Sequence, residues 1–188
     1  MIKALVEGQG DVLSLPILVR KSKQAAVKID CLDMLGKSNI VRMNDGFEKT
    51  MIRQIELGYK RFYILLDADV FFAPYENYTD EVAGMTTRVN EFKTSRGVEV
   101  TLFWAIKAYE SWLIGGLKKG DHFCGLHKTI RGIPGDTQTA PADPKKWIRD
   151  HRSDNRYNPD VQVCLTRHIN LGLAQRRNDS LRTFLDRI

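Results

Sequence analysis

Short apolar runs alternate with amphipathic segments along the first 120 residues of the chain. The runs at 2–6, 61–66 and 98–106 are apolar almost throughout, which is typical of strands buried on both faces of a parallel sheet. The alternation of apolar and polar residues at 27–31 predicts one more strand. Because helical patterns separate these runs, we expect an α/β fold with a mostly parallel central sheet flanked by helices.

The helices are predicted from apolar positions that lie three and four residues apart. They cover 11–23, 46–57, 80–94 and the segment that follows the last strand, through 117. Pro16 is expected near the first turn of the first helix, where a missing backbone N–H is tolerated.

The chain changes character after Gly120. A stretch rich in proline and glycine predicts loops, and amphipathic segments at 144–150, 160–176 and 180–188 predict helices that bury one face. We therefore divide the chain into an α/β core at 1–120 and a helical annex at 121–188 that packs on the core.

Composition narrows the class of protein. With 43% hydrophobic and 28% charged residues, the chain matches neither disordered nor fibrous proteins. No apolar run approaches the roughly 20 residues of a membrane helix, and the first residues predict no secretory signal. Cys31, Cys124 and Cys164 are odd in number and far apart, so we expect a reducing, cytoplasmic location and no disulfide framework.

The net charge of +6 predicts an anionic partner such as nucleic acid, because Lys and Arg replace the counterions of phosphates. The alternative is that a mildly basic balance only keeps the protein soluble. For Lys107, the alternative is that it forms an ion pair with Glu110. For the annex cations, the alternative is that they form an ordinary solvated surface. The candidate phosphate contacts are Lys107, Lys145, Lys146, Arg176 and Arg177.

Acidic residues follow two of the predicted strands. Glu7 comes directly after the first strand, and Asp67 and Asp69 follow the most apolar one. In an open parallel sheet, ligands bind outside the carboxyl ends of the strands, and residues two apart in an extended segment point to the same side. Carboxylates are the ligands that Mg²⁺ prefers, so the pattern predicts a metal site. The alternative is that these acids only cap turns.

These acids lie in two motifs, VEGQGD at 6–11 and LLDADV at 65–70. Both resemble the motifs of the Toprim domain, the catalytic fold of primases, topoisomerases and overcoming-lysogenisation-defect nucleases. The whole chain also resembles a bacterial Toprim-like family of unknown function, whose genes often stand beside ATPase genes in antiphage defence loci. That wider resemblance includes AYESWLIGG at 108–116, DPKKWIRD at 143–150 and RRNDSLRTFLDRI at 176–188.

The resemblance implies a role for each acid. Glu7 would be a metal ligand or a general acid/base, and Asp67 and Asp69 would bind the metal. Asp11 matches the extra acid of the nuclease branch, with a helix N-cap as its alternative. Glu110 matches the acid that the narrower family has after its last strand, with a surface glutamate as its alternative.

The activity implied by the resemblance is that of a nuclease, dependent on Mg²⁺ or Mn²⁺, that hydrolyses phosphodiester bonds of DNA or RNA. It would be the effector of an antiphage system with an ATPase partner. The alternatives are a non-catalytic subunit that binds metal or nucleic acid in such a complex, and a non-catalytic fold in which the acids are only caps.

Two further motifs have simpler interpretations. Gly8-Gln9-Gly10 lacks the remaining residues of a dinucleotide or P-loop motif, so any ATPase activity is expected in a partner. A histidine and cysteine group suggests a zinc site, but its spacing fits no standard finger, and a small apolar cysteine among exposed histidines is the simpler interpretation. This group comprises His122, Cys124, His127, Cys164 and His168.

Overall fold

A computed structural model describes residues 1–22, 26–43, 45–68, 75–127, 130 and 132–188, with the backbone alone for 75–79. Within these residues the chain forms four strands and nine helices. The strands are β1 (Ile2–Val6), β2 (Ile29–Asp33), β3 (Arg61–Asp67) and β4 (Glu99–Ala105). The helices are α1 (Gln9–Lys21), α2 (Lys37–Val41), α3 (Phe47–Glu56), α4 (Tyr75–Arg96), α5 (Tyr109–Gly115), α6 (Pro144–Asp150), α7 (Pro159–His168), α8 (Leu171–Arg177) and α9 (Asp179–Arg187).

The four strands form one parallel sheet in the order β2-β1-β3-β4. The predicted α/β fold is therefore confirmed. From β1 the chain crosses first to β2 on one side and later to β3 on the other, so the gap between the carboxyl ends of β1 and β3 is a topological switch point. Open α/β sheets bind their ligands at such points.

Side chains of each strand point alternately into two hydrophobic layers, as the period of a strand requires. In β1, Ile2, Ala4 and Val6 pack on the side of α1 and α5, whereas Leu5 packs on the side of α3 and α4. Each face of the sheet is thus covered by helices, which explains why β1 and most of β3 are buried.

The annex helices pack against the α1 and α5 side of the sheet. Phe184 of α9 is fully buried; its ring centroid lies 4.8 Å from that of Phe103 in β4 and 5.3 Å from that of Trp112 in α5. Among the described residues, the buried annex side chains belong to the same hydrophobic cluster as the sheet. No described helix is both long enough and apolar enough to cross a membrane.

Several element predictions were wrong in their details. α2 was not predicted, α4 begins at Tyr75 and not at residue 80, and β2 covers Ile29–Asp33 and not 27–31. α1 begins at Gln9, so Pro16 lies in the helix interior, and the helix persists there because it buries Leu15, Leu18 and Val19 in the core. The segment 160–176 forms two helices, α7 and α8. The break between them is stabilised by Asn170, whose side chain accepts a hydrogen bond from the N–H of Leu173.

The prediction that no disulfide forms was also wrong. Cys124 and Cys164 are bonded across 40 residues of sequence. The loop at 121–127 is held beside the end of α7, a proximity that comes from the packing of the annex and not from the spacing of the cysteines. Cys31 remains a free, partly buried thiol in β2.

The shared core predicts that an annex substitution destabilises the whole chain. Phe184→Ala removes a fully buried ring between the sheet and α5, so we expect a loss of about 3–5 kcal/mol in the free energy of unfolding. Leu57→Ala, at a residue that is 72% exposed, should change it by less than about 0.5 kcal/mol. Urea denaturation followed by circular dichroism measures both variants. Two separate transitions in Phe184→Ala, with the sheet unaffected, would contradict a common core.

Candidate metal centre

A cavity of about 400 Å³ opens at the carboxyl ends of β1 and β3, at the topological switch point. Four carboxylates from separate segments line it: Glu7, Asp11, Asp67 and Glu110. The annex completes the wall with Lys145 at the start of α6 and with Tyr157 and Gln162 at the start of α7. The cavity therefore lies between the sheet and the annex.

Glu7 and Asp67 are coupled through the backbone. Glu7 follows β1, Asp67 ends β3, and the N–H of Asp67 donates to Oε1 of Glu7 over 2.6 Å. Neighbouring parallel strands bring their carboxyl ends together, so this contact follows from the sheet order. The two strand-end acids that the sequence predicted are therefore adjacent in the structure.

The carboxylate of Asp67 has different contacts at its two oxygens. Oδ1 accepts the N–H of Tyr109, the first residue of α5, over 2.9 Å. Oδ2 lies 3.6 Å from Nζ of Lys145. Asp67 thus supports the start of α5 through a contact across 42 residues, which differs from the local turn cap of the alternative interpretation. Its other oxygen faces Lys145 at the cavity.

Glu110 is more deeply buried, with 2% of its side chain exposed. Its Oε1 accepts a hydrogen bond of 2.7 Å from the hydroxyl of Tyr157, and its Oε2 lies 4.0 Å from Nζ of Lys145. Among the described residues, no hydrogen-bond donor reaches the buried Oε2. Glu110 is therefore not a surface glutamate, and one of its oxygens has an unused capacity to bind a ligand.

Asp11 lies in the first turn of α1, where Gly8 occupies the N-cap position. Its Oδ1 accepts a hydrogen bond of 2.8 Å from Nε2 of Gln162. Gly10 makes this contact possible, because a Cβ atom at that position would lie 2.1 Å from Oε1 of Gln162. The N-cap interpretation of Asp11 was wrong, and the glycine of the Gly8-Gln9-Gly10 segment has a steric role beside the acid.

Burial and repulsion by neighbouring acids disfavour the ionised forms of Asp67, Asp11 and Glu110. Burial raises the pKa of Asp67 well above its ordinary value, and the charges of Glu110, Glu7 and Asp11 raise it further. Burial likewise raises the pKa of Asp11 and of Glu110, although Lys145 opposes the shift in both. Of the described lining residues, Lys145 is the one cation, so the cluster has fewer positive than negative charges.

The first turns of four helices meet at the cavity, which partly offsets this repulsion. Gly10 belongs to the first turn of α1, Glu110 to that of α5, Lys145 to that of α6 and Pro159 to that of α7. Helix N-termini carry a partial positive charge and direct N–H groups outward, which stabilises anions nearby. The arrangement therefore favours carboxylates and also an anionic ligand.

The described donor atoms at the cavity are of the kind that a hard divalent cation binds, although no three of these acids have carboxylate oxygens within 4.8 Å of one another, so an ion would draw them closer together. Carboxylate oxygens suit Mg²⁺ and Mn²⁺, which bind a few carboxylates together with water and substrate phosphate. The unused oxygen of Glu110 and the shortage of positive charge are two observations that agree with such an ion.

The structure brings together four of the five predicted metal ligands; Asp69 lies outside the described residues. Lys145, predicted as a phosphate contact, reaches the same cavity. Tyr157 and Gln162 were missed. The motif Asn158-Pro159 just after Tyr157 marks the start of a helix, but no local signal shows that this start faces the acids.

The other candidate phosphate contacts lie elsewhere. Nζ of Lys107 donates to the backbone carbonyls of Thr139 and Pro141, and the residue is 8% exposed. Arg177 donates from Nη1 to the carbonyls of Gly115 and Leu117 at the end of α5. These two cations join the annex to the α/β core, in contrast to the expectation of phosphate contact. The remaining two are more exposed: Lys146 pairs with Asp150, and Arg176 lies on the surface.

Comparisons with protein-family models, with curated proteins and with solved structures found no match to this chain. The resemblance to the Toprim domain therefore rests on the sequence motifs, and its functional content is a proposal.

The burial of Asp67, together with the repulsion from the neighbouring acids, predicts how stability depends on pH. An acid whose pKa is raised in the folded protein stabilises it fully below the unfolded value, 3.8 for Asp67, and that contribution is lost as pH rises through the folded value. Without divalent metal, Asp67→Asn should therefore raise the melting temperature at neutral pH by ~2–4 °C, the effect of about 1 kcal/mol in a chain of this size. It should also weaken the loss of stability between acidic and neutral pH. Differential scanning calorimetry in a metal chelator measures both effects.

Asp186→Asn is the matched control, because Asp186 is an exposed acid on α9. Mn²⁺ should stabilise the wild type more at about pH 8 than at about pH 5, since protons compete for the same oxygens. An equal Mn²⁺ effect in wild type and Asp67→Asn would contradict a metal centre at Asp67.

The contact of Gly10 with Gln162 predicts that their substitutions are not additive. Gly10→Ala should displace the Gln162 amide from Asp11 and destabilise the protein. In a Gln162→Ala background the same change should be neutral or stabilising, because alanine favours a helix by about 1 kcal/mol over glycine. A double-mutant cycle by urea denaturation should give a coupling of about 1–2 kcal/mol.

Gly8→Ala is the control for this cycle, because a Cβ atom at Gly8 meets nothing within 4 Å. It should lower stability by about 0.5–1 kcal/mol in the wild-type and the Gln162→Ala backgrounds alike, since alanine is a poorer N-cap residue than glycine but does not reach Gln162 from this position. Additive effects of Gly10→Ala and Gln162→Ala would show that the two residues do not meet.

Proposed function

We propose that this protein is a metal-dependent nuclease that hydrolyses phosphodiester bonds of DNA or RNA. The observation that carries the proposal is the convergence of Glu7, Asp11, Asp67 and Glu110 in one cavity at the switch point of the sheet. Three of these acids have a raised pKa, so the folded chain retains an arrangement that is unfavourable without a cation. An arrangement of this kind is typical of a functional site.

Mg²⁺ or Mn²⁺ would be held by oxygens of these four residues. The resemblance of the LLDADV motif to the Toprim domain adds Asp69 as a fifth ligand. When bound, such an ion activates water for attack on phosphorus and offsets the charge that develops on a phosphoryl oxygen. Glu7 and Asp67 are held close by the backbone contact between them, so the spacing of the two principal ligands does not depend on flexible loops. This preorganisation favours catalysis.

Lys145 has a second role in this proposal. Its side chain is 56% exposed, with Nζ near the oxygens of Asp67 and Glu110. With a divalent cation balancing the acids, the ammonium group would contact a substrate phosphate at the rim of the cavity. Lys145 and the first turns of α1 and α7 would together favour the binding of an anionic substrate at the rim, although acids line the cavity.

Tyr157 and Gln162 position the acids in this proposal. The hydroxyl of Tyr157 donates to Glu110, and the amide of Gln162 donates to Asp11, so each residue orients one carboxylate through a hydrogen bond. Such partners hold the ligand oxygens in a productive geometry. Both belong to the annex, which makes the annex part of the site.

The partners follow from charge and from the resemblance. The net charge of +6 favours a polyanion such as nucleic acid. The resemblance to the Toprim-like family of antiphage loci adds an ATPase subunit, which would supply the nucleotide chemistry that the Gly8-Gln9-Gly10 segment does not.

The direct test is cleavage of single- and double-stranded DNA and RNA with Mg²⁺ or Mn²⁺. Asp67→Asn and Glu7→Gln should each reduce the cleavage rate at least about 100-fold. They alter the proposed metal ligands themselves, whereas substitution of residues that only orient such ligands costs about 10- to 100-fold. Asp67→Asn keeps the oxygen that supports α5, so folding should be intact. Gel analysis of labelled substrates gives the rates, and circular dichroism checks the fold.

Asp186→Asn should cleave at the wild-type rate, and a chelator should abolish cleavage in every variant. Cleavage by Asp67→Asn at the wild-type rate would overturn the proposal. Metal-dependent stabilisation with nucleic-acid binding but no cleavage, with or without an ATPase partner, would instead identify a non-catalytic subunit.

A further inference from the structure

A second group of potential metal ligands lies where the loop at 121–127 meets the end of α7. Sγ of Cys124 and Sγ of Cys164 are bonded to each other, and Nδ1 of His168 lies 3.7 Å from the first and 3.8 Å from the second. Among the described residues, these three form the one group of His, Cys, Asp or Glu whose ligand atoms all lie within 4.8 Å of one another. The acids of the metal centre do not belong to it.

The chemistry of these ligands differs from that of the acidic cavity. Two thiolates and an imidazole select a softer ion such as Zn²⁺, which prefers tetrahedral geometry. Bonds of ~2.3 Å to sulfur and ~2.0 Å to nitrogen place the ligand atoms of a tetrahedral site about 3.6 Å apart for S···N. The observed distances from His168 to the sulfurs are within a few tenths of an ångström of that value.

Contacts other than the disulfide hold both sides of the cluster in place. The carbonyl of Cys124 accepts a hydrogen bond from Nη1 of Arg152, and the carbonyl of Gly125 accepts one from the N–H of Ser153. On the other side, α7 packs along α1. Arg152 and Ser153 thus hold the loop against the segment that follows α6, and the stacking of Phe123 on His168 joins the loop to α7 independently of the sulfur–sulfur bond.

His168 is oriented by its neighbours. Its ring stacks on Phe123, with centroids 5.1 Å apart, and its Nδ1 lies 2.8 Å from the carbonyl of Cys164 one turn earlier in α7. Binding through Nδ1 would exchange that carbonyl contact for a metal bond. Because His168 is exposed, an ion can enter from solvent and keep a water as its fourth ligand.

We propose that the reduced form of this cluster binds one Zn²⁺ through Cys124, Cys164 and His168. Reduction breaks the sulfur–sulfur bond, and each sulfur gains one electron and one proton from a dithiol reductant, which itself becomes a disulfide. Zn²⁺ then displaces the two thiol protons to solvent. The disulfide and the zinc-bound form exclude each other, because the same sulfurs serve both.

Cys31 is a natural internal control. Burial raises the pKa of its thiol to about 12, so at neutral pH it is protonated and a poor metal ligand. It is the remaining free cysteine of the chain and belongs to β2, whereas the proposed ligands lie in the annex.

The test uses the full chain, reduced with a phosphine and transferred to anaerobic buffer, and titrates it with Co²⁺ in place of Zn²⁺. We expect one equivalent to give thiolate-to-cobalt charge-transfer absorption and the visible bands of a tetrahedral site, which Zn²⁺ abolishes. Cys31→Ser and Asp67→Asn should keep the full signal. Cys124→Ser and Cys164→Ser should each reduce the charge-transfer absorption by about half or more and weaken Co²⁺ binding, and His168→Asn should weaken binding at least about tenfold.

Alkylation followed by mass spectrometry tests the wild type itself. The proposal can therefore be tested even if one of the variants fails to fold. Zn²⁺ should protect Cys124 and Cys164 from alkylation in the reduced protein and leave Cys31 unchanged. The proposal is overturned if reduced wild type shows no thiolate-to-cobalt absorption, or if Zn²⁺ leaves the alkylation of Cys124 and Cys164 unaltered.

Discussion

Repulsion among partly buried carboxylates is the constraint on which the rest of this structure depends. The parallel sheet brings Glu7 and Asp67 to adjacent strand ends, and Glu110 and Asp11 add their charges from two helices. Where water is scarce, such charges repel one another strongly. Three kinds of group around the cavity act against that repulsion: the ammonium group of Lys145, the hydrogen-bond donors of Tyr157 and Gln162, and the N-termini of helices.

The annex is the source of most of that compensation. Lys145, Tyr157 and Gln162 all come from 144–162, and each lies near an acid of the α/β core. They can reach the acids because the annex buries its apolar side chains in the same cluster as the sheet, with Phe184 between Trp112 and Phe103. The interface between the annex and the α/β core therefore both buries the apolar side chains of the annex and places its polar side chains beside the acids.

Helix α7 connects the two candidate metal sites. Its first turn contributes Gln162 to the acidic cavity, and its later residues Cys164 and His168 belong to the proposed zinc site. The helix packs along α1, which carries Asp11. A change in the redox state or the metal content of the cysteine cluster would thus act on a helix that also positions an acid of the proposed active site.

Local sequence alone determined the strands and the acids that follow two of them, but not the order in which the strands pair. Strands buried on both faces need continuous apolar runs, and Glu7 and Asp67 directly follow two such runs, so both the strands and the position of these acids could be predicted. The helix-forming segments of the annex were likewise visible in the spacing of apolar residues. These features depend on neighbours within a few positions in the chain.

Contacts between distant segments were decided only by the tertiary structure. Tyr157 donates to Glu110 across 47 residues, Gln162 to Asp11 across 151, and Cys124 bonds Cys164 across 40. Periodicity shows which face of a helix is apolar, but not where the helix lies on the sheet or which polar residue at its end meets an acid. Pro16 shows the same limit, because burial of one face of α1 outweighs the local preference against proline.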